Sequence, residues 1–229
     1  MLLAGIKKTL GEFSLCIDKL IISRPGVYGL IGPNGSGKST LAKIMAGLLQ
    51  PDSGAMESEG LSSMDITFLG RKPYMMDDTV YNNLVYPLQV RNLKPDPRLV
   101  NEFLDRMNFS KRAEQRAKSL SGGEQQKLAF LRAIIFRPKF VIADEAMTAM
   151  DMDSLDHFER TIREEQEKEK SIWIVISHQM PHIRRICDFV FFMYNGSMET
   201  EGSIHDFFSG DNPHLRKYLR SYEGTPQDR

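Results

Sequence analysis

The stretch Val27-Tyr28-Gly29-Leu30-Ile31, then Gly32-Pro33-Asn34-Gly35-Ser36-Gly37-Lys38-Ser39, then Thr40-Leu41-Ala42-Lys43-Ile44-Met45-Ala46-Gly47-Leu48-Leu49 decides how the rest of the chain is read. A short apolar run suits a buried strand, and Leu41, Ile44, Met45 and Leu48 recur at helical spacing after it. Between them lies a glycine-rich turn of the pattern G-x-x-x-x-G-K-[ST], which allows successive backbone N–H groups to face one centre. That arrangement is a phosphate cradle. Gly32 and Gly37 supply the turn geometry, the amides of residues 35 to 40 and the helix start stabilise negative charge, Lys38 reaches the outer phosphates, and Ser39 offers a hydroxyl to Mg²⁺. From average composition the pattern arises by accident in roughly one chain in a hundred of this length, and a strand before it with a helix after it makes accident rarer.

Outward from this stretch, 229 residues suffice for one large domain, with or without an inserted subdomain. Thirty basic residues balance thirty acidic ones, so no global field points to nucleic acid or to an anionic membrane surface, and no nucleic-acid partner is expected. Cys16 and Cys187 are too few for a disulfide framework and lack metal-site spacing; both are expected in the core of a protein of the reducing cytoplasm. No apolar run approaches the ~20 residues that span a bilayer, and the N-terminus lacks a full signal-peptide core. Work at a membrane would therefore need docking to another subunit.

Residues 1 to 26 read as short strands, Glu12 to Ile17 and Lys19 to Ser23 among them. Phe13 is the only aromatic residue before Tyr28, and it reads equally as an adenine-stacking ring or as a half-buried strand residue. Pro51-Asp52-Ser53-Gly54 reads as a turn and the stretch on to Ser63 as polar, Ile66 to Leu69 as a strand, and residues 79 to 119 as a helical insertion with two amphipathic stripes around a linker at Lys94-Pro95-Asp96-Pro97. Leu120-Ser121-Gly122-Gly123-Glu124 then opens a helix. Ser121 with Glu124 makes a capping box, yet two glycines weaken a helix start unless something must approach the backbone closely. Phe140 to Ala143 is a buried strand ending in Asp144-Glu145. Two carboxylates alternating at that end can divide the work, Asp144 near Mg²⁺ and Glu145 toward a water. A helix capped by Asp153 or Ser154 follows, then a strand 172 to 176 that ends in Ser177-His178, a helix 180 to 187, a strand Phe189 to Tyr194 and a charged helical tail. If the strands are parallel, His178 shares a sheet edge with the glycine-rich turn and Asp144-Glu145.

Taken together, these residues resemble the nucleotide-binding subunit of ATP-binding cassette (ABC) transporters. The matching stretches are the Walker A loop Gly32 to Ser39, the signature Leu120 to Glu124, the Walker B strand Phe140 to Asp144 with catalytic Glu145, the D-loop stretch Thr148-Ala149-Met150-Asp151 and the switch His178. The resemblance implies an α/β fold: a P-loop NTPase core with a mainly parallel sheet, an N-terminal antiparallel β part and an inserted helical subdomain, divided as core 1–71 and 120–229 and helical subdomain 72–119. It implies ATP and Mg²⁺ as cofactors, with Gly32, Pro33, Asn34, Gly35, Ser36, Gly37, Lys38, Ser39 and Thr40 around the phosphates, Ser39 and Asp144 toward the metal, and Lys38, Glu145 and His178 in catalysis. It also implies a head-to-tail dimer in which Ser121, Gly122 and Gly123 of one copy close over the ATP of the other, and membrane permease subunits docked near residues 71–88 at the inner face of the cell membrane. The length and the run from Lys72 to Leu88 are similar to compact importer subunits, tungstate and molybdate oxyanion importers among them. A soluble ABC ATPase of DNA repair or translation, or a nucleotide sensor with little turnover, is the rival expectation.

Two positions depart from the family pattern. Ala146 stands where a proline usually follows the catalytic glutamate, and Arg71 stands where a glutamine follows the Ile66 to Leu69 strand. A guanidinium has donors only, so Arg71 cannot be a metal ligand. It is expected to turn to the γ-phosphate, to pair with Asp77 or Asp78, or to lie solvated in its loop.

Overall fold

The computed structural model describes residues 1–58, 60–147 and 152–223. In chain order, β1 (Leu2–Leu10) and β2 (Phe13–Ile21) form an antiparallel pair, and β3 (Gly26–Ile31) runs through the glycine-rich turn into α1 (Lys38–Met45). β4 (Ser53–Glu57) pairs antiparallel with β1, and β5 (Ile66–Leu69) leads to α2 (Val80–Gln89) and α3 (Pro97–Arg106). Next come α4 (Gly122–Ile134), β6 (Phe140–Asp144), α5 (Met152–Glu169), β7 (Ile172–Ile176), α6 (Met180–Ile186), β8 (Phe189–Tyr194), β9 (Ser197–Ser203), α7 (Ile204–Phe207) and α8 (Pro213–Glu223).

All these strands join one sheet in the order β4-β1-β2-β9-β8-β3-β7-β6-β5. β3 is buried at every position, as an unbroken apolar run requires of a strand covered on both faces. Its neighbours β7 and β8 run parallel to it, and β6 and β5 continue the parallel half. Parallel neighbours need long crossovers, so β3, β6 and β7 open on a common edge; Leu30 and Asp144 both stand opposite Ile176. That edge carries the glycine-rich turn, Asp144-Glu145 and Ser177-His178. Phe130 of α4, Phe158 of α5 and Trp173 of β7 are buried against one another behind it, a large apolar mass that locks both helices to the sheet. The helices α2 and α4 pack together, and α4 also covers β5.

Several expectations give way here. The first helix ends at Met45: Gly47 takes φ +71 and Leu48 is exposed, so the apolar spacing outlasts the helix by one turn. Residues 13–21 form one strand where two segments were expected, and β4 and β9 arise from stretches read as turn or tail. Both are polar with no buried position, so nothing local marks them; each is formed by a neighbour's ladder. Asp96 is less a linker than the N-cap of α3, its Oδ1 accepting from Arg98 N at 2.9 Å with Pro97 in the first turn. Asp153 and Ser154 lie inside α5, not at its cap. Cys187 is buried as expected, whereas Cys16 is exposed on β2. The stretch Thr148 to Asp151 lies outside the described residues.

Candidate functional site

The turn between β3 and α1 has a shape that only glycine permits at two points. Gly32 takes φ +147, and a Cβ there would lie 2.1 Å from the Met193 carbonyl oxygen. Gly37 takes φ +99 as the N-cap of α1, and its Cβ would lie 2.8 Å from the Phe13 ring. No side chain caps α1, so its positive end is left to whatever the turn holds. Lys38 is buried with its ammonium folded over the turn: Nζ donates to Gly32 O and Pro33 O, each at 2.8 Å. Burial pushes its pKa down, while Glu145 and Asp144 pull the other way, so both carboxylates act on this one ammonium. The turn is also backed by α8, where the buried Tyr218 hydroxyl lies beside the Gly32 backbone and its ring packs on Phe192.

Asp144 closes β6, with the Ser39 hydroxyl beside its carboxylate. Burial raises the Asp144 pKa, Glu145 adds to this, and the Ser39 hydroxyl with Lys38 and Lys43 opposes it. The expected alternation stops at this point. Glu145 leaves the strand with φ +51, its N–H donating to Ile176 O at 3.0 Å. A non-glycine residue in this region carries about 1–3 kcal/mol of strain, which is tolerated where the surroundings fix it. Here the result is a carboxylate turned over the cradle: Oε1 meets His178 Nε2, and Oε2 meets Arg71 Nη1 at 3.4 Å. The expected partners of Arg71 are thereby corrected. Asp77 pairs with Lys118 at 3.4 Å, and Asp78 accepts from Thr79 N at 2.7 Å and Asn82 Nδ2 at 2.8 Å.

A cleft of about 290 Å³ is lined by Phe13, Asn34, Gly35, Gly37, Lys38, Ser39, Thr40 and Glu145. Phe13 is half-buried at its rim against Gly37, which leaves part of the ring facing the cleft. Gly32, Pro33 and Ser36 shape the turn through their contacts with Lys38. Among the described residues no group of three or more His, Cys, Asp or Glu side chains could hold a metal ion. A hydroxyl beside one carboxylate suits an ion that arrives with phosphates and keeps its waters.

Ser121, Gly122 and Gly123 do not line this cleft. Ser121 caps α4, and its backbone N–H donates to Glu124 Oε2 at 2.8 Å. Glu124 also pairs with Arg112, and this guanidinium, with the Ser121 N–H, holds its pKa down at about 2. The capping box thus exists. The glycine beside it has no reason inside this chain, because a Cβ on Gly122 would meet nothing within 4 Å. Two contacts at the site escape a reading of the sequence: the Arg71–Glu145 pair and the approach of Tyr218 to Gly32. The first joins residues just past the ends of two strands, and the second joins the tail to the glycine-rich turn, so neither leaves a local pattern.

Comparison with known proteins agrees with this geometry. The family model described as ABC transporter matches residues 18–148, more than half of the chain. The chain is 30% identical over 207 residues to the tungstate uptake system ATP-binding protein TupC of Peptoclostridium acidaminophilum, covering 87% of this chain and 97% of that protein. It is 28% identical over 224 residues to the methionine import ATP-binding protein MetN of Bacillus subtilis, covering 91% of this chain and 66% of that one. A solved structure of the ATP-binding subunit of an ABC transporter shares the fold with a TM-score of 0.85 at 20% identity, over 97% of this chain and 99% of that one. The chain belongs to the ABC transporter family, as an ATP-binding subunit that hydrolyses ATP to power a membrane transporter.

Proposed function

We propose that this ATPase serves an importer of a small solute or oxyanion, that it works as a head-to-tail dimer, and that Lys38, Glu145 and His178 carry the chemistry. The observation that carries the proposal is the Glu145 carboxylate, turned over the glycine-rich turn and held by His178. In that position a carboxylate can accept the proton of the attacking water as the γ-phosphoryl group departs, and His178 keeps it aimed. Lys38 neutralises charge that develops on the phosphate oxygens, and the uncapped start of α1 adds its dipole. A bound Mg²⁺ would be held by Ser39 and Asp144 and would supply further charge neutralisation. Phe13 would stack on the adenine.

The dimer is supported by the separation of the cleft from the start of α4 and by the open space beside Gly122, which suits approach by a nucleotide held on a second copy. Docking of a permease near residues 71–88 is supported by a groove of about 600 Å³ lined by Phe68, Tyr74, Tyr86, Val90, Arg91 and Phe136, where Tyr74 is 75% exposed. No helix among the described residues is long and apolar enough to cross a membrane, so on this reading the permease anchors the subunit at the cytoplasmic face. The division into a RecA-like core, 1–71 and 120–229, and a helical subdomain, 72–119, belongs to the same proposal, since it lets the helical part turn with closure. The names of TupC and MetN support import.

The test is a pair of variants. Lys38→Ala should lose most turnover while the chain still folds with a cooperative melt. Glu145→Gln should lose turnover, remain monomeric without ATP and become dimeric with it, as read by light scattering. Parent-level turnover in Glu145→Gln would remove it from the catalytic role, and a monomer that demonstrably binds ATP would remove the sandwich.

A further inference from the structure

Arg71 reaches the Glu145 carboxylate from the solvent side. Its side chain is 69% exposed, that of Glu145 is 18% exposed, and the two charges lie 3.4 Å apart. His178 takes the other carboxylate oxygen, so Glu145 is spanned between an imidazole and a guanidinium. The backbone that carries Arg71 has two different anchors. On one side β5 is fixed to β6 by a parallel ladder in which Leu69 stands opposite Ala143, one residue before Asp144. On the other side the loop is held by helices: Arg132 of α4 donates to Tyr74 O at 2.6 Å, while Asn83 of α2 accepts from Met76 N at 3.0 Å and donates to Thr79 O at 2.9 Å. Arg71 thus sits on the short bridge between backbone held by the sheet and backbone held by α2 and α4. A shift of those helices against the sheet moves Arg71 relative to Glu145.

We propose that Arg71 is a positioning residue that holds Glu145 back from the water, so that the isolated subunit turns over slowly until displacement of residues 70–79 ends the contact. The proposal rests on the reading of Glu145 as the base. A guanidinium donates and never accepts, so it cannot pass a proton or ligate metal; what it can do is compete for the carboxylate oxygen that would face the water. The pair is solvent-accessible and therefore weak and screened by salt, which limits the effect to roughly threefold to fivefold in rate.

The experiment is steady-state ATPase on the full chain, comparing the parent with Arg71→Gln, Arg71→Lys and Glu145→Gln, with melting temperatures alongside. Arg71→Gln should raise kcat roughly threefold to fivefold with KM for ATP unchanged, and Arg71→Lys should fall between it and the parent. Added salt should raise the parent's kcat toward that of Arg71→Gln and leave the variant flat, a response that loop packing alone would not give. If Arg71→Gln is no faster than the parent while Glu145→Gln is inactive, Arg71 has no such role; a change confined to KM would likewise overturn it in favour of phosphate contact. Parent-level turnover in Glu145→Gln would instead remove the base assignment, and this inference with it.

Discussion

Two helices in this molecule start with glycines, and they do so for opposite reasons. At α1 the chain itself demands them: Gly32 and Gly37 have positive φ, and a Cβ on either would strike the Met193 carbonyl or the Phe13 ring. At α4 the backbone of Gly122 is ordinary helix, and the space beside it is open. The caps differ in the same sense. No side chain caps α1, whereas α4 has a complete capping box with Ser121 and Glu124 bonded to each other's backbone. A helix start that the fold leaves uncapped, with glycines of positive φ around it, can hold a ligand of its own. A start that is already capped and carries a glycine the fold does not need points outward, to a ligand brought by something else.

The comparison breaks most visibly if alanine is placed at each glycine in turn. Gly32→Ala forces a Cβ into the 2.1 Å contact with backbone, at a φ that alanine rarely adopts, and should cost about 2 kcal/mol or more, with a clear fall in melting temperature and loss of ATP binding. Gly122→Ala should leave the melting temperature equal or slightly higher, since alanine is the better helix former by roughly 0.5–1 kcal/mol. Its loss should appear only in ATP-driven dimerisation and turnover. Equal thermal effects from the two variants would erase the distinction drawn here.

Tyr218 sharpens the first half of the comparison. Its buried hydroxyl lies beside the Gly32 backbone and accepts from the Tyr222 hydroxyl at 3.1 Å; burial together with Tyr222 raises its pKa, so it stays neutral across the working range. Tyr218→Phe keeps the ring against Phe192 and removes only the hydroxyl beside the Gly32 backbone. A net loss of about 1 kcal/mol is expected, read as an ATP KM raised about fivefold at nearly constant kcat. An unchanged KM would mean that the turn keeps its shape without α8.

This contact marks where sequence reasoning stops. The strands at β3, β6, β7 and β8 are legible because each is an apolar run between turn residues, and the cradle is legible because its spacing is local. β4 and β9 are illegible because they are polar and exist through the ladders their neighbours offer. Residue type alone puts Cys16 inside, whereas its neighbours Leu15 and Ile17 take the buried face of β2 and leave Cys16 exposed. The Arg71–Glu145 pair and the approach of Tyr218 to Gly32 span 74 and 186 positions, and no pattern of 2 or 3.6 residues reports on them.

The smallest expected effect tests the second helix start. Glu124 has its pKa lowered from 4.5 to about 2, first by the Arg112 guanidinium and then by the Ser121 N–H. A carboxylate whose folded pKa lies below its unfolded one stabilises the fold fully above the unfolded value, here 4.5, and that contribution fades as pH falls toward about 2. Because the pair is about one third exposed and open to solvent at the surface, the contribution is screened and small. Glu124→Gln keeps an acceptor for the Ser121 N–H and removes only the charge. In urea titrations the parent should exceed Glu124→Gln at neutral pH, and the gap should narrow through the window from 4.5 down to about 2. No such term arises from a side-chain cap at α1, where there is none. A gap that stays constant with pH would mean that the charge on Glu124 is spent elsewhere, and the start of α4 would then be held by Ser121 alone.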